Sequence, residues 1–276
     1  MPTMPKKKDD NGMIRVRVLG EVDLQIGHRR VGMNTETLFA LAFFLVMRAG
    51  EPIPRDELLT TLWDQGEDEQ RRHALRQLLY RLRQKGLDLA EDGERVLLSS
   101  ERVDCDFRSA LDPKWPDQAT AAEIDAAAAF GPSFSKRMAS GYLQWLDGRL
   151  NALAEQHRKA SLGQIALARR EGRWADLERW AQSVLRTDPL NEEATLARAE
   201  SAAMGGSKVM AMEILDNYLA EVWEISPELG KPAQALRKRL AERRPDWSYR
   251  GPREVPLVGR TELMSRLTTL VDAAWK

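Results

Sequence analysis

Between Ile14 and Val31 apolar residues recur at every second position, and from Leu38 onward at every third or fourth. A change of period is a change of secondary structure, because side chains alternate across a strand but share a helical face at intervals of three and four. Ile14, Val16 and Val18 alternate with Arg15 and Arg17, and Val22, Leu24 and Ile26 with Asp23 and Gln25. Gly27-His28 then offers a two-residue turn before a return strand through Val31, so the chain is expected to open with an antiparallel sheet. Three helical segments follow. The first, capped by Asn34 or Thr35, places Leu38, Leu41, Ala42, Leu45 and Val46 on one stripe and stops at Gly50. The second starts at Pro54 and buries Leu58, Leu59, Leu62 and Trp63. The third runs from about Glu69 to Lys85 and ends at Gly86. Leu87–Leu89, a turn at Glu91-Asp92-Gly93 and Val96–Leu98 then read as a β-hairpin. Sheet, three helices and hairpin, in that order, make an α+β winged helix-turn-helix domain.

The third helix carries the sharpest functional signal. Leu75, Leu78, Leu79 and Leu82 form its core stripe, while the 17-residue window from Glu69 to Lys85 holds six Lys or Arg against one acidic residue. The whole chain balances 42 basic against 42 acidic residues, so this local excess stands out. Cations neutralise phosphates and release counterions, and Arg and Gln also contact base edges in the major groove. His73, Arg76, Gln77, Tyr80 and Gln84 share the face opposite the leucines, flanked by Arg72, Arg81 and Arg83. The plain alternative is an ordinary solvated face, and the surrounding helix-turn-helix order favours double-stranded DNA. The hairpin tip is acidic, with Glu91, Asp92 and Glu94, and reads as structural; Arg95 and Arg102 are the hairpin residues placed to reach a phosphate backbone.

Behind this domain the pattern becomes helical. Residues 112–135, with Pro113, Pro116, an alanine run and Gly131-Pro132, read as a junction containing one short helix. Two helix pairs follow, turning at Gly172 and Gly206, 34 residues apart, which is the tetratricopeptide period. Asp188-Pro189 and Ser226-Pro227 close the pairs, since proline cannot continue a helix. Segments around Leu146–Leu153 and Ala233–Arg243 are expected to cap the stack. The tryptophans at 145, 174, 180 and 223, with Tyr218, read as packing residues between helices. The expected organisation is a disordered tail at 1–12, a winged helix at 13–107, an all-α tetratricopeptide-like bundle at 108–243, and at 244–276 a linker followed by the start of a further domain.

Other functions find little support. With 43% hydrophobic and 30% charged residues the chain has the make-up of a folded domain. No stretch reaches the roughly 20 apolar residues of a membrane helix, and the basic N-terminus lacks the apolar region of a signal peptide; a cytoplasmic, nucleoid-associated protein is expected. The single cysteine, Cys105, can form neither an internal disulfide nor a cysteine-rich metal cage, and reads as a buried thiol. His28, His73 and His157 lack metal-ligand spacing. Gly205-Gly206-Ser207-Lys208 and Gly230-Lys231-Pro232 lack the frame of a phosphate loop and read as turns. Neither catalysis nor a cofactor or metal is expected.

Three runs carry a family resemblance. Residues 52–63 (PIPRDELLTTLW), 72–83 (RHALRQLLYRLR) and 101–107 (ERVDCDF) resemble the winged helix of the OmpR/PhoB type, in the variant of the Streptomyces antibiotic regulatory protein, or AfsR-like, family. Residues from about 108 to 243, with DPLNEEA at 188–194, are similar to the bacterial transcriptional activator domain that follows it there. Residues 255–263 (VPLVGRTEL) resemble the opening of an AAA/STAND-type ATPase domain, which implies the N-terminal part of a longer regulator. The resemblance implies an activator that binds tandem direct repeats beside promoters, self-associates there and contacts RNA polymerase holoenzyme, with the 64–69 loop near the polymerase. Leu78 stands where many relatives have a histidine, and the acidic hairpin tip departs from the pattern too. These departures motivate a competing reading, a protein-interaction scaffold with little DNA binding.

Overall fold

The computed structural model describes residues 12–32, 35–135, 138–225 and 230–242. The expected N-terminal tail up to residue 11, the closing Ser226-Pro227 and the segment 244–276 lie outside them. Strands β1 (Ile14–Arg17), β2 (Asp23–Ile26) and β3 (Arg29–Arg30) precede α1 (Glu36–Met47). Then come β4 (Ile53–Pro54), α2 (Arg55–Leu62), α3 (Asp68–Gln84), β5 (Leu89–Glu91), β6 (Arg95–Leu98), a 3-10 turn (Ser100–Arg102) and β7 (Val103–Cys105). This is the winged-helix order, with two pairings the periodicity did not reveal.

The first is in the N-terminal sheet, ordered β3-β2-β1-β7, where β7 runs parallel to β1 with Ile14 opposite Val103 and Val16 opposite Cys105. Ile14, Val16 and Val18 point into the core, while Arg17 on the other face makes a bidentate pair with Asp104 at 3.0 and 2.7 Å. The second is β4, a two-residue strand that pairs with β6, so the hairpin is part of a three-stranded sheet with β6 in the middle. Pro54 therefore sits in a strand and at the N-cap of α2, one residue before the helix proper. Trp63 is half-buried at the end of α2. Helix α1, capped by the Thr35 hydroxyl, is buried on every side from Ala40 to Met47, so its stripe widens into a core helix.

The junction holds two short helices beyond α4 (Asp106–Ala110), α5 (Trp115–Gln118) and α6 (Ala121–Ala127), where one was expected. A capping box between Thr120 and Glu123 separates them. The chain then returns to β1: Gly131 donates to the Val18 carbonyl at 2.7 Å, and a Cβ at Gly131 would lie 2.4 Å from the Gly20 carbonyl oxygen, which leaves room for glycine alone.

Helices α7 (Ser140–Glu171), α8 (Trp174–Leu185), α9 (Glu192–Met204), α10 (Lys208–Ile225) and α11 (Lys231–Glu242) follow. The segment at Leu146–Leu153 is the first half of the 32-residue α7, not a separate capping helix. Glycines at 148 and 163 cost a helix about 1 kcal/mol each against alanine, but α7 is held by burial at both ends, which outweighs them. Tyr142, Leu146 and Leu153 join the winged-helix core, where Trp145 packs 4.7 Å from Phe44, while Ala160, Ile165 and Ala168 join a second core around Trp180. A third cluster joins α9, α10 and α11 around Leu215.

Candidate nucleic-acid interface

Helix α3 is built to expose one face. Leu75, Leu78, Leu79 and Leu82 are buried against α1 and α2, each at 8% exposure or less. Acidic Asp68 and Glu69 in the first turn and basic Arg81 and Arg83 in the last suit the helix dipole. Opposite the leucines, His73, Arg76, Gln77, Tyr80 and Gln84 are exposed, Tyr80 to 58%, and Arg72 and Arg81 on the flanks are exposed as well. None of Arg72, Arg76 and Arg81 has a carboxylate partner among the described residues. Arg71, in contrast, is half-buried and turned back onto Asp68. The long helix α7 packs on α2 and on α4–α6, and leaves the polar face of α3 exposed.

Two of the eight residues singled out in the sequence stand apart from this face. The Arg83 guanidinium lies 2.5 Å from Glu91 and 3.5 Å from the Leu89 carbonyl, so it ties the helix to the base of the hairpin. Arg95 lies on β6, exposed, one residue past the hairpin tip. Glu91 is shared with Arg55 at 2.8 Å, and Asp92 accepts the Arg95 backbone N–H at 3.0 Å. Two of the three acids at the tip are thus occupied in building the wing and its junction with α2 and α3. Sequence reading missed this, because Arg55 and Arg83 meet Glu91 only in the fold. Between α2, α3 and the wing lies a groove of about 350 Å³, lined by Asp56, Arg72, Arg76 and Glu94 among others.

The other end of α3 meets the N-terminal sheet. A Cβ added to Gly86 would lie 3.3 Å from Ile26, and Arg29 donates to the Lys85 carbonyl at 3.3 Å. Lys85 in turn reaches the Gly32 carbonyl at 2.6 Å. On the α2 side, Asp64 accepts the Ser140 backbone N–H at 2.9 Å and its hydroxyl at 2.6 Å, which seats the first turn of α7 on the end of α2. Those bonds hold the Asp64 carboxyl below the usual range.

Residues 31–99 match the family described as "Transcriptional regulatory protein, C terminal". No curated protein matches the chain. Among solved structures, Mycobacterium tuberculosis EmbR in complex with a low affinity phosphopeptide is similar in fold, with a TM-score of 0.60 at 18% identity. The alignment covers 84% of this chain and 66% of the EmbR chain, just under two thirds. The match takes in α1 to α3 and the wing, so residues 31–99 are a winged-helix domain of the transcriptional regulatory family, in a chain with an EmbR-like fold.

Proposed function

We propose that this chain regulates transcription by binding promoter DNA sequence-specifically through α3. The observation that carries the proposal is the exposed face of Arg76, Gln77, Tyr80 and Arg81, which has no carboxylate partner among the described residues and lies opposite a buried leucine stripe. Such a face fits a major groove about 12 Å wide. Arg76 and Gln77 are the base-reading candidates, while Arg72 and Arg81 flank them towards the phosphates. Arg83 contributes indirectly, by fixing the wing against the helix.

Within this reading the regulator acts as an activator. Copies bind direct repeats near a promoter, and the exposed acidic segment 64–69 contacts RNA polymerase holoenzyme. Helices α7–α11 form a tetratricopeptide-like repeat that receives the regulating signal or partner, and the chain performs no catalysis of its own. Footprinting on the promoters beside its own gene, with Arg76→Ala and Arg81→Ala, is the direct test. Loss of a base-reading arginine is expected to cost about 1–3 kcal/mol and to relax preference at one position, while loss of a phosphate contact weakens all sequences alike. Unchanged affinity of both variants at low salt would remove α3 from the interface and favour the scaffold reading.

A further inference from the structure

We infer that the β2–β3 hairpin is a second phosphate-binding element, with Arg29 and Lys85 as its contacts; the inference rests on DNA binding through α3. Helix α3 has 17 residues, which at about 1.5 Å each is roughly 25 Å of helix. That is about twice the width of the groove it would enter, so an end that leaves the groove meets the sugar–phosphate backbone. Three surfaces border the helix. The loop before it carries Asp64 and Glu67, with Asp68 and Glu69 in the first turn, and the wing tip carries Asp92 and Glu94. Arg71 pairs with Asp68, and Arg95 is exposed beside the tip, but each border keeps an acidic excess that repels phosphate.

The third border is the hairpin, with exposed His28 and Arg29 beside Lys85. Arg29 and Lys85 are each held by a backbone carbonyl, Lys85 O and Gly32 O, and neither meets a carboxylate among the described residues. Arg30, the next residue of β3, differs, because Asp23 neutralises it at 3.0 Å. Two cations fixed side by side by neutral acceptors keep their full charge and are already positioned, so an arriving phosphate meets a site whose ordering cost is small. Lys85 also continues the Gln77–Arg81 line at intervals of four along the helix flank that faces away from the wing. The duplex is therefore gripped at the sheet side of α3 and not at the wing tip.

The test is the salt dependence of binding to a mixed-sequence duplex, for the wild-type chain and for Arg29→Gln with Lys85→Gln. Each lost phosphate contact should flatten the slope of log K against log salt by about 0.9. Between about 50 and 200 mM salt the double variant should then lose roughly tenfold less affinity than the wild type. Arg29→Lys with Lys85→Arg, which keeps both charges, should restore the slope. Arg29→Gln alone, an exposed site on the edge strand β3, should remove about half the effect while leaving thermal unfolding unchanged. A wild-type slope in the double variant, with binding intact, overturns the inference and leaves DNA binding standing. A wild-type chain that binds no duplex at low salt overturns both.

Discussion

Tyr142 offers a test in which truncation should stabilise. Its ring is fully buried in the shared core, 5.1 Å from Phe134 and 5.4 Å from Trp145, where it packs α7 against the segment that leads into it. Its hydroxyl is buried as well and has no hydrogen-bond partner among the described residues, and burial pushes the phenol pKa up. An unsatisfied buried hydroxyl costs about 1–3 kcal/mol. Tyr142→Phe relieves that cost, while the space left by one oxygen forfeits a handful of contacts at about 0.1–0.2 kcal/mol each, roughly 0.5–1 kcal/mol in all. The net expectation is a gain of about 1 kcal/mol, which for a chain of this size is about 2–4 °C in Tm. Urea unfolding of the two chains side by side, read by tryptophan fluorescence, measures it. A loss of more than about 1 kcal/mol would mean that the hydroxyl holds a hydrogen bond worth keeping, and would refute the account of this core.

Cys105 is buried and its thiol is pushed up to about 11 by desolvation; it should resist a thiol reagent at neutral pH and react at full rate only in denaturant, so fast labelling of the native chain would contradict the packing of β7. His157, 2% exposed between the Ser161 and Ser183 hydroxyls, has its pKa held below the ordinary imidazole value by burial and by Arg186. The unfolded chain then takes up a proton that the folded one refuses, so its contribution to stability is whole above about pH 6.5 and declines as pH falls below it. His157→Gln should flatten that part of the pH–stability curve, and an identical curve would refute the assignment. In α7, Gly163→Ala places a methyl in open space on an exposed helical site and should stabilise by about 0.5–1 kcal/mol. Gly172→Ala, at φ +67°, should destabilise by about 1 kcal/mol or more; equal signs for the two in thermal melts would refute the end of α7 at Gly172.

The interface was legible because its signal is local. Four leucines at helical spacing, with cations on the remaining faces, fix both the helix and the side it shows, and the structure keeps that face exposed. What stayed hidden depends on residues far apart in sequence. β7 has only three residues and no alternation to read, and it joins β1 across 87 positions, at Arg17 and Asp104. The acids of the wing look like tip chemistry until Arg55 and Arg83 are brought round Glu91. The Thr120–Glu123 capping box was a readable signal, but alanines on either side blur it into one segment where the fold has two. Gly148 and Gly163 lower the local preference for helix, so the unbroken length of α7 follows from the cores it enters and not from its own residues.

That length has a consequence for regulation. At about 1.5 Å per residue, α7's 32 residues make a rod of roughly 48 Å. Its first half lies in the core that anchors α1, and its second half in the core around Trp180. No loop intervenes. The winged helix and helices α8–α11 are thus joined by a stiff element, and by the bonds from Ser140 to Asp64 at the end of α2. A ligand or partner that repacked helices α8–α11 could not simply swing one part about a flexible hinge. It would have to tilt or bend α7, and a tilt is felt first at Trp145, which packs on Phe43 and Phe44 of α1, and at Ser140, which is bonded to Asp64 on the approach to α3. The same stiffness limits what a signal can do. It can change the angle at which α3 is presented, but it leaves the cationic face uncovered, so on the proposed reading control through α7 should alter the fit to paired sites more than contact with a single one.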